Sequence, residues 1–289
     1  MFTLEDCLET IQSHYPDLQI HSAEANTIGQ FNHVILVNND LIFRFPRYAA
    51  DVAVLSREAV ILDAVGAQLP LPVPHFTYRS LSGAPGQVFA GYRRIPGELL
   101  WRERLADIRQ SPVVPRLAHQ MAAFLYALHN LPVQSIAVDL PLQGGVEMWA
   151  QKYREIRELL FPYMRPDARS QVAAHFEGYL SDVVLQRFTP CLIHGDFGPS
   201  NVLVDPEAQV ISGVIDFGFA GLGDPAQDIA AASCFGDAFL AQYAGAYPGM
   251  EGLLPRAHFI RGTFALEEAL HGIKNDDKEA FESGIADYR

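Results

Sequence analysis

HGDFGPSN, residues 194 to 201, and IDFG, residues 215 to 218, each follow a short apolar run, CLI in one case and VISGV in the other. Such β-branched runs read as strands, and the Gly and Pro breakers after them read as loops at strand ends. Asp196 lies in a loop loosened by Gly195 and Gly198 and stiffened by Pro199, so its carboxylate can project into a cleft. Asn201 opens the next strand and Asp216 ends the third. If these strands pair, the oxygens of Asn201 and Asp216 converge as donors suited to a hard cation such as Mg²⁺, which needs few protein ligands. Asp196 is then left free to orient a hydroxyl and take its proton. A free carboxylate beside a cation that holds phosphates is the equipment of phosphoryl transfer.

Upstream of this motif the chain is rich in strands. LQIHSAE, HVILV and LIFRF form a meander with Asn38, Asn39 and Asp40 as the last turn, and HFTYRS and QVFAGYRR add two strands around SGAPG. A helix is expected over about 52 to 67, with Val54, Ala59, Leu62 and Val65 near one face and Arg57 and Glu58 pointing elsewhere. From Ile95 the pattern turns helical: roughly 112 to 130, 145 to 162, 167 to 187, and a group from about 224 to 287 broken near residues 247 to 249. RRIPGE marks the change of composition. These patterns predict an α+β chain with residues 1–94 as an antiparallel sheet lobe with one main helix and 95–289 as a larger, mostly helical lobe.

The 289 residues carry 34 acidic and 21 basic side chains, a formal charge of −13. That balance argues against nucleic acid or an anionic membrane as partner and suits a cationic ligand. Cys7, Cys191 and Cys234 are far apart, with neither disulfide-framework nor zinc spacing. The first residues, MFTLEDCLETIQSHYP, carry acids where a signal peptide needs positive charge, and no segment reaches the roughly 18 apolar residues of a membrane span. A cytoplasmic protein is expected, with a monomer favoured.

The order H-x-D-x-x-x-x-N then D-F-G, followed by GDPAQD at 223 to 228, resembles the aminoglycoside phosphotransferase family, whose fold is the bilobal protein-kinase-like one. NNDLIFRFPR is most similar to the branch that modifies the 2″ hydroxyl. The resemblance implies that Asp196 is the catalytic base with His194 bracing its loop, that Asn201 and Asp216 bind Mg²⁺, and that ATP or GTP is the co-substrate. It places Arg44, on LIFRF, against the nucleotide phosphates with Glu58 as its carboxylate partner. The family's usual residue there is lysine, and a planar, always charged guanidinium is not its equivalent; Arg47 is a second candidate cation. Thr27 and Gly29 in NTIGQFNH fall where phosphates are wrapped. Tyr92, Arg93 and Ile95 of the interlobe connection, with Ile215, fall around the base.

Only GFAGLG separates the D-F-G from the next helix, too short for a protein-substrate platform, so a small-molecule acceptor is expected. The resemblance implies an aminoglycoside antibiotic as acceptor, which fits the acidic charge, and with it the activity of a resistance kinase. Asp237 and Glu268 are the candidate acceptor-binding acids, and Asp228 a buried brace for the loop of Asp196. Trp101 and Trp149 are candidate stacking partners for a sugar. The competing readings are a kinase of a macrolide, a choline-like metabolite or a sugar, and a non-catalytic nucleotide-binding sensor.

Overall fold

The computed structural model describes residues 2–26, 32–101, 113–140, 142–243 and 245–289. Helix α1 (Leu4–His14) opens on a capping box, in which Thr3 Oγ1 accepts from Asp6 N and Thr3 N donates to Asp6 Oδ2. Its buried Cys7 and Ile11 lie on a five-stranded antiparallel sheet. That sheet comprises β1 (Ala23–Asn26), β2 (Asn32–Val37), β3 (Leu41–Pro46), β4 (Tyr78–Ser80) and β5 (Phe89–Arg93), in the order β1-β2-β3-β5-β4. Asn38 and Asn39 take φ of 54° and 55°, the left-handed region that Asn tolerates, and so turn β2 into β3. The strand expected from LQIHSAE begins only at Ala23. Before it, Asn38 Oδ1 accepts from His21 N and Ser22 N while its amide donates to Gln19 O, so a side chain replaces the ladder. HFTYRS likewise shortens to β4.

Helix α2 (Ala49–Val65) runs between β3 and β4 and buries Leu55, Ala59, Ile61, Leu62 and Val65. Glu58 is on that same inward face, 1% exposed, contrary to the outward placement expected of a charge. Strand alternation explains it. Phe43 and Phe45 point into the cluster under α1, so Arg44 between them points to the α2 side and meets Glu58 there.

The strand β6 (Glu98–Leu99) already belongs to a second sheet, β10-β9-β6, made with β9 (Val202–Asp205) and β10 (Val210–Val214). Helix α3 (Val114–His129) packs under it. Beyond follow β7 (Leu142–Gln143), α4 (Val146–Leu159), α5 (Pro166–Ser181) and β8 (Cys191–Ile193). The three β runs around the motif do not form one ladder. β9 pairs with β10, but β8 pairs with β11 (Gly221–Gly223), the segment after IDFG. The glycines of β11 allow the close approach: a β-carbon on Gly223 would lie 2.4 Å from Ile193 Cδ1. The chain ends in α6 (Ala226–Ala232), α7 (Asp237–Tyr243), α8 (Leu254–Arg261), α9 (Phe264–Lys274) and α10 (Lys278–Ile285), with breaks at Gly236 and Gly262 besides the expected one near 247 to 249. No helix among the described residues is long and apolar enough to cross a membrane.

Candidate active site

Asp196 and Phe197 leave β8 in opposite directions. Phe197 is fully buried, its ring 5.8 Å from that of Phe124 on α3, and this anchors the loop in the core while the Asp196 side chain keeps an opening to solvent. Gly195 takes φ of 80°, and a β-carbon there would lie 2.3 Å from Phe219 O, so glycine is required where the loop after β8 touches the one after β10. The loop turns back on itself through Gly198 N to Asp196 O and Asn201 N to Gly198 O.

The groups that hold the loop are buried. Asp228, on the first turn of α6, accepts from His194 N at 2.8 Å, Gly195 N at 2.9 Å and His129 Nε2 at 2.9 Å. His129 Nδ1 lies 2.6 Å from the Tyr247 hydroxyl. Burial pushes the Asp228 carboxyl upward, but the hydrogen bond and charge of His129 and the neighbouring His194 outweigh it and hold it below the ordinary value. The His194 ring is committed on both sides. Asp196 N–H can only donate, so Nδ1 accepts (3.3 Å); Ile215 O can only accept, so Nε2–H donates (3.1 Å). The ring thus bridges the two loops.

Asn201 Nδ2 donates to both Asp196 O, at 2.8 Å, and Asp196 Oδ2, at 2.7 Å. Asp196 is therefore joined to Asn201 rather than left alone, and the amide's two hydrogens are used, so its oxygen remains an acceptor. Surrounding protein pushes the Asp196 carboxyl above its ordinary value, His194 and Asn201 pull it down, and Asp216 and Asp228 push it up again. Asp216 lies beyond the end of β10, at φ 63°, and its carboxylate is half-exposed. Ile215 N donates to Asn201 O, which seats Asp216 beside Asn201 in sequence register.

Arg44 reaches across from the first sheet. Its NH1 donates to Glu58 Oε1 at 2.7 Å and its NH2 to Asp216 Oδ1 at 3.0 Å. Burial disfavours the charged guanidinium, but Glu58 and Asp216 outweigh it and raise Arg44 further above its ordinary value. Glu58 Oε1 also accepts from Phe217 N, whereas its buried Oε2 has no hydrogen-bond partner among the described residues. Burial raises the Glu58 carboxyl against the pull of Arg44 and Phe217.

These bonds bring Arg44, Glu58, Asn201, Asp196, His194, Asp216 and Asp228 into one connected group. Tyr92 is buried beside it, its hydroxyl pushed up to about 12 by burial. Ile95 lies against Gly213 of β10, and Ile215 is half-buried. Arg93 is exposed and ion-paired with Asp40, outside the group. Asp237 is ion-paired with Arg261 at 3.3 Å and Glu268 is exposed on α9, so neither shares a hydrogen bond with it. Trp149 is buried against Tyr179 and Phe259, whereas Trp101 is half-exposed. Thr27 and Gly29 lie outside the described residues. Sequence reasoning missed His129, on the last turn of α3, and Tyr247 as members of this network. It also missed Gln143, whose amide donates to Phe219 O and ties the loop after IDFG to β7.

The family described as "Phosphotransferase enzyme family" (APH) matches residues 22–257. Viomycin phosphotransferase of Streptomyces vinaceus is 29% identical over 269 residues, which cover 90% of this chain and 91% of that protein. Aminoglycoside 3′-phosphotransferase of Streptomyces fradiae is 32% identical over 239 residues, covering 78% of this chain and 82% of that one. Among solved structures, the GDP and kanamycin complex of APH(2″)-IIIa superposes with a TM-score of 0.88 at 27% identity, over 96% of this chain and 95% of the other.

Proposed function

This chain belongs to the phosphotransferase enzyme family, a small-molecule kinase by that membership, and we propose that it moves the γ-phosphate of ATP or GTP to a hydroxyl of a cationic antibiotic, in first place an aminoglycoside. The observation that carries this is the set of hydrogen bonds that joins Asp196 to Asn201, Asn201 O to the N–H of Ile215 next to Asp216, and Asp216 to Arg44 and through it Glu58. Residues 1–94 form the nucleotide side and residues 95–289 the catalytic and acceptor side, in a cytoplasmic enzyme. Kanamycin beside GDP in a similar structure, and the names of the two relatives, support the acceptor class.

Asp196 aligns the acceptor hydroxyl and accepts its proton as the acceptor oxygen attacks the γ-phosphorus in line with the departing nucleoside diphosphate. A carboxylate with a raised pKa is the stronger base for that task. His194, with both nitrogens bound to backbone, is a positioning residue that sets where Asp196 stands. Arg44 offers its guanidinium to the phosphates while Glu58 keeps it in place. Tyr92, Ile95 and Ile215 line the side of the base. The donor set suits Mg²⁺, since the Asn201 oxygen and the half-exposed Asp216 carboxylate are hard ligands. No cluster of three or more His, Cys, Asp or Glu among the described residues could hold a metal unaided, which fits an ion shared with phosphate oxygens. When bound, Mg²⁺ would be held by Asn201 and Asp216 and would neutralise charge on the phosphates.

The reading is tested with purified protein, Mg²⁺ and each nucleotide against kanamycin, gentamicin, viomycin, a macrolide and choline, with product mass as readout. Transfer to an aminoglycoside or to viomycin is the expected result, and Asp196→Asn lowers kcat by about 10²- to 10⁴-fold. Transfer only to a macrolide or choline replaces the acceptor assignment. Nucleotide binding with no transfer to any of them leaves a sensor.

A further inference from the structure

Arg44 from β3, Glu58 from α2 and Asp216 from the loop after β10 meet where the first sheet faces the 215–218 segment. One cation stands between two carboxylates, and the structure shows how it is divided. Arg44 gives NH1 to Glu58 Oε1 at 2.7 Å and NH2 to Asp216 Oδ1 at 3.0 Å, one terminal nitrogen to each. Glu58 Oε2 is left in the interior without a hydrogen-bond partner among the described residues. An orphaned buried oxygen on a carboxylate is costly, so the sharing leaves Glu58 short of a bond. The fork of a guanidinium matches both oxygens of one carboxylate. A second arrangement therefore exists, in which Arg44 takes Glu58 by both oxygens and lets Asp216 go.

The two carboxylates differ in what else can reach them. The Glu58 side chain is 0% exposed and that of Asp216 is 46% exposed. Glu58 is thus confined to Arg44 and the Phe217 N–H, whereas Asp216 is open to a cation from solvent. While Arg44 lies on Asp216, it already counters that charge and repels a second cation on the same group, and at this burial the repulsion is only partly screened. The behaviour belongs to the arginine. A lysine offers a single nitrogen and no fork with which to pass from two carboxylates to one.

We propose that Arg44 gates the cation site: it serves as the counterion of Asp216 and yields that carboxylate when nucleotide phosphates draw the guanidinium over and Glu58 Oε2 receives it. The guanidinium has N–H groups enough for Glu58 and a phosphate together. The inference rests on the reading above, in which Asp216 holds a divalent ion and Arg44 meets phosphates, and it adds an order. The chain takes its ion with the nucleotide and hardly at all alone.

The probe is Mn²⁺ alone, its free concentration read by electron paramagnetic resonance in titrations of the full chain without nucleotide. The double variant Arg44→Gln/Glu58→Gln removes the counterion together with the buried charge that would otherwise be stranded, and it is expected to bind Mn²⁺ about tenfold more tightly than the wild type. Glu58→Gln by itself acts the other way. With the competing carboxylate made neutral, Arg44 commits to Asp216, and Mn²⁺ affinity falls below wild type by about threefold; this single variant also serves if the double one does not fold. A general loss of packing would not move the two in opposite directions. The gate is overturned if the double variant binds Mn²⁺ no more tightly than wild type, if Glu58→Gln leaves the affinity unchanged, or if both variants shift it the same way. Adding Asp216→Asn to the double variant should abolish the gain; a gain that survives places the ion elsewhere and sinks the Asp216 assignment with the gate. No acceptor enters these titrations, so failure of the antibiotic reading is a separate result.

Discussion

Asp228 and Glu58 are carboxylates of equal burial, 0% and 1% exposed, one behind the 194–201 loop and one behind Arg44, yet their oxygens are treated differently. Asp228 has both oxygens occupied, by two backbone N–H groups and an imidazole N–H. Glu58 has one oxygen shared by Arg44 and Phe217 N and the other without a partner among the described residues. Burial pushes both upward, and only at Asp228 do the partners win, leaving that group below and Glu58 above the ordinary value. The loop side is thus a completed network, which rigidifies, whereas the Arg44 side keeps unused bonding capacity and can rearrange around a ligand.

The largest effect that tests this contrast is on stability. Asp228→Asn sets an amide N–H₂ against N–H donors already in place and costs about 3–5 kcal/mol, whereas Glu58→Gln keeps an acceptor toward Arg44 and costs about 1–3 kcal/mol; urea denaturation measures both. Equal losses would erase the distinction. The contrast sharpens with acid. Because the folded pKa of Asp228 is depressed, its contribution is present above the unfolded value of about 3.9 and lost as pH falls through the folded one, so Asp228→Asn flattens that decline.

Next in size is Arg44→Lys. An ammonium can face Glu58 or Asp216 but cannot fork to both as the guanidinium does, and losing one charge-assisted bond corresponds to a rise of roughly tenfold in nucleotide KM. An unchanged KM would mean that Arg44 serves the fold alone. The smallest effect is on the pH profile. With Asp196 as the proposed base, transfer needs its ionised form, and its raised pKa places the acid limb of kcat at higher pH than an ordinary aspartate would give. Asn201→Ala removes a group that pulls this pKa down and moves the limb higher still, seen in rate profiles of both forms.

The bilobal α+β class and the central strands were legible because they rest on alternation and helical spacing, whereas the Arg44–Glu58 pair came only with the resemblance to the phosphotransferase family. β2, β3 and the core of β5 sit where HVILV, LIFRF and VFAGYR place them. What escaped is what depends on distant partners or on backbone alone. β11 is Gly-Leu-Gly, with no strand propensity, and takes its form from lying against β8. The inward turn of Glu58 follows from which face of β3 carries Arg44, which a helix-face count on α2 does not contain. His129 and Asp228 are separated by 99 positions and meet only through packing. Asp237 read as an acceptor-facing acid, but helix position says nothing of the Arg261 that pairs with it from α8.

The His194 ring, clasped between Asp196 N–H and Ile215 O, has one further consequence. It fastens the two carboxylate-bearing loops into a single mechanical unit. A swing of the N-terminal sheet relative to the helices would therefore lengthen or shorten the reach of Arg44 while the spacing between residues 196 and 216 stays constant, so that opening and closing could admit a nucleotide without detuning the pair.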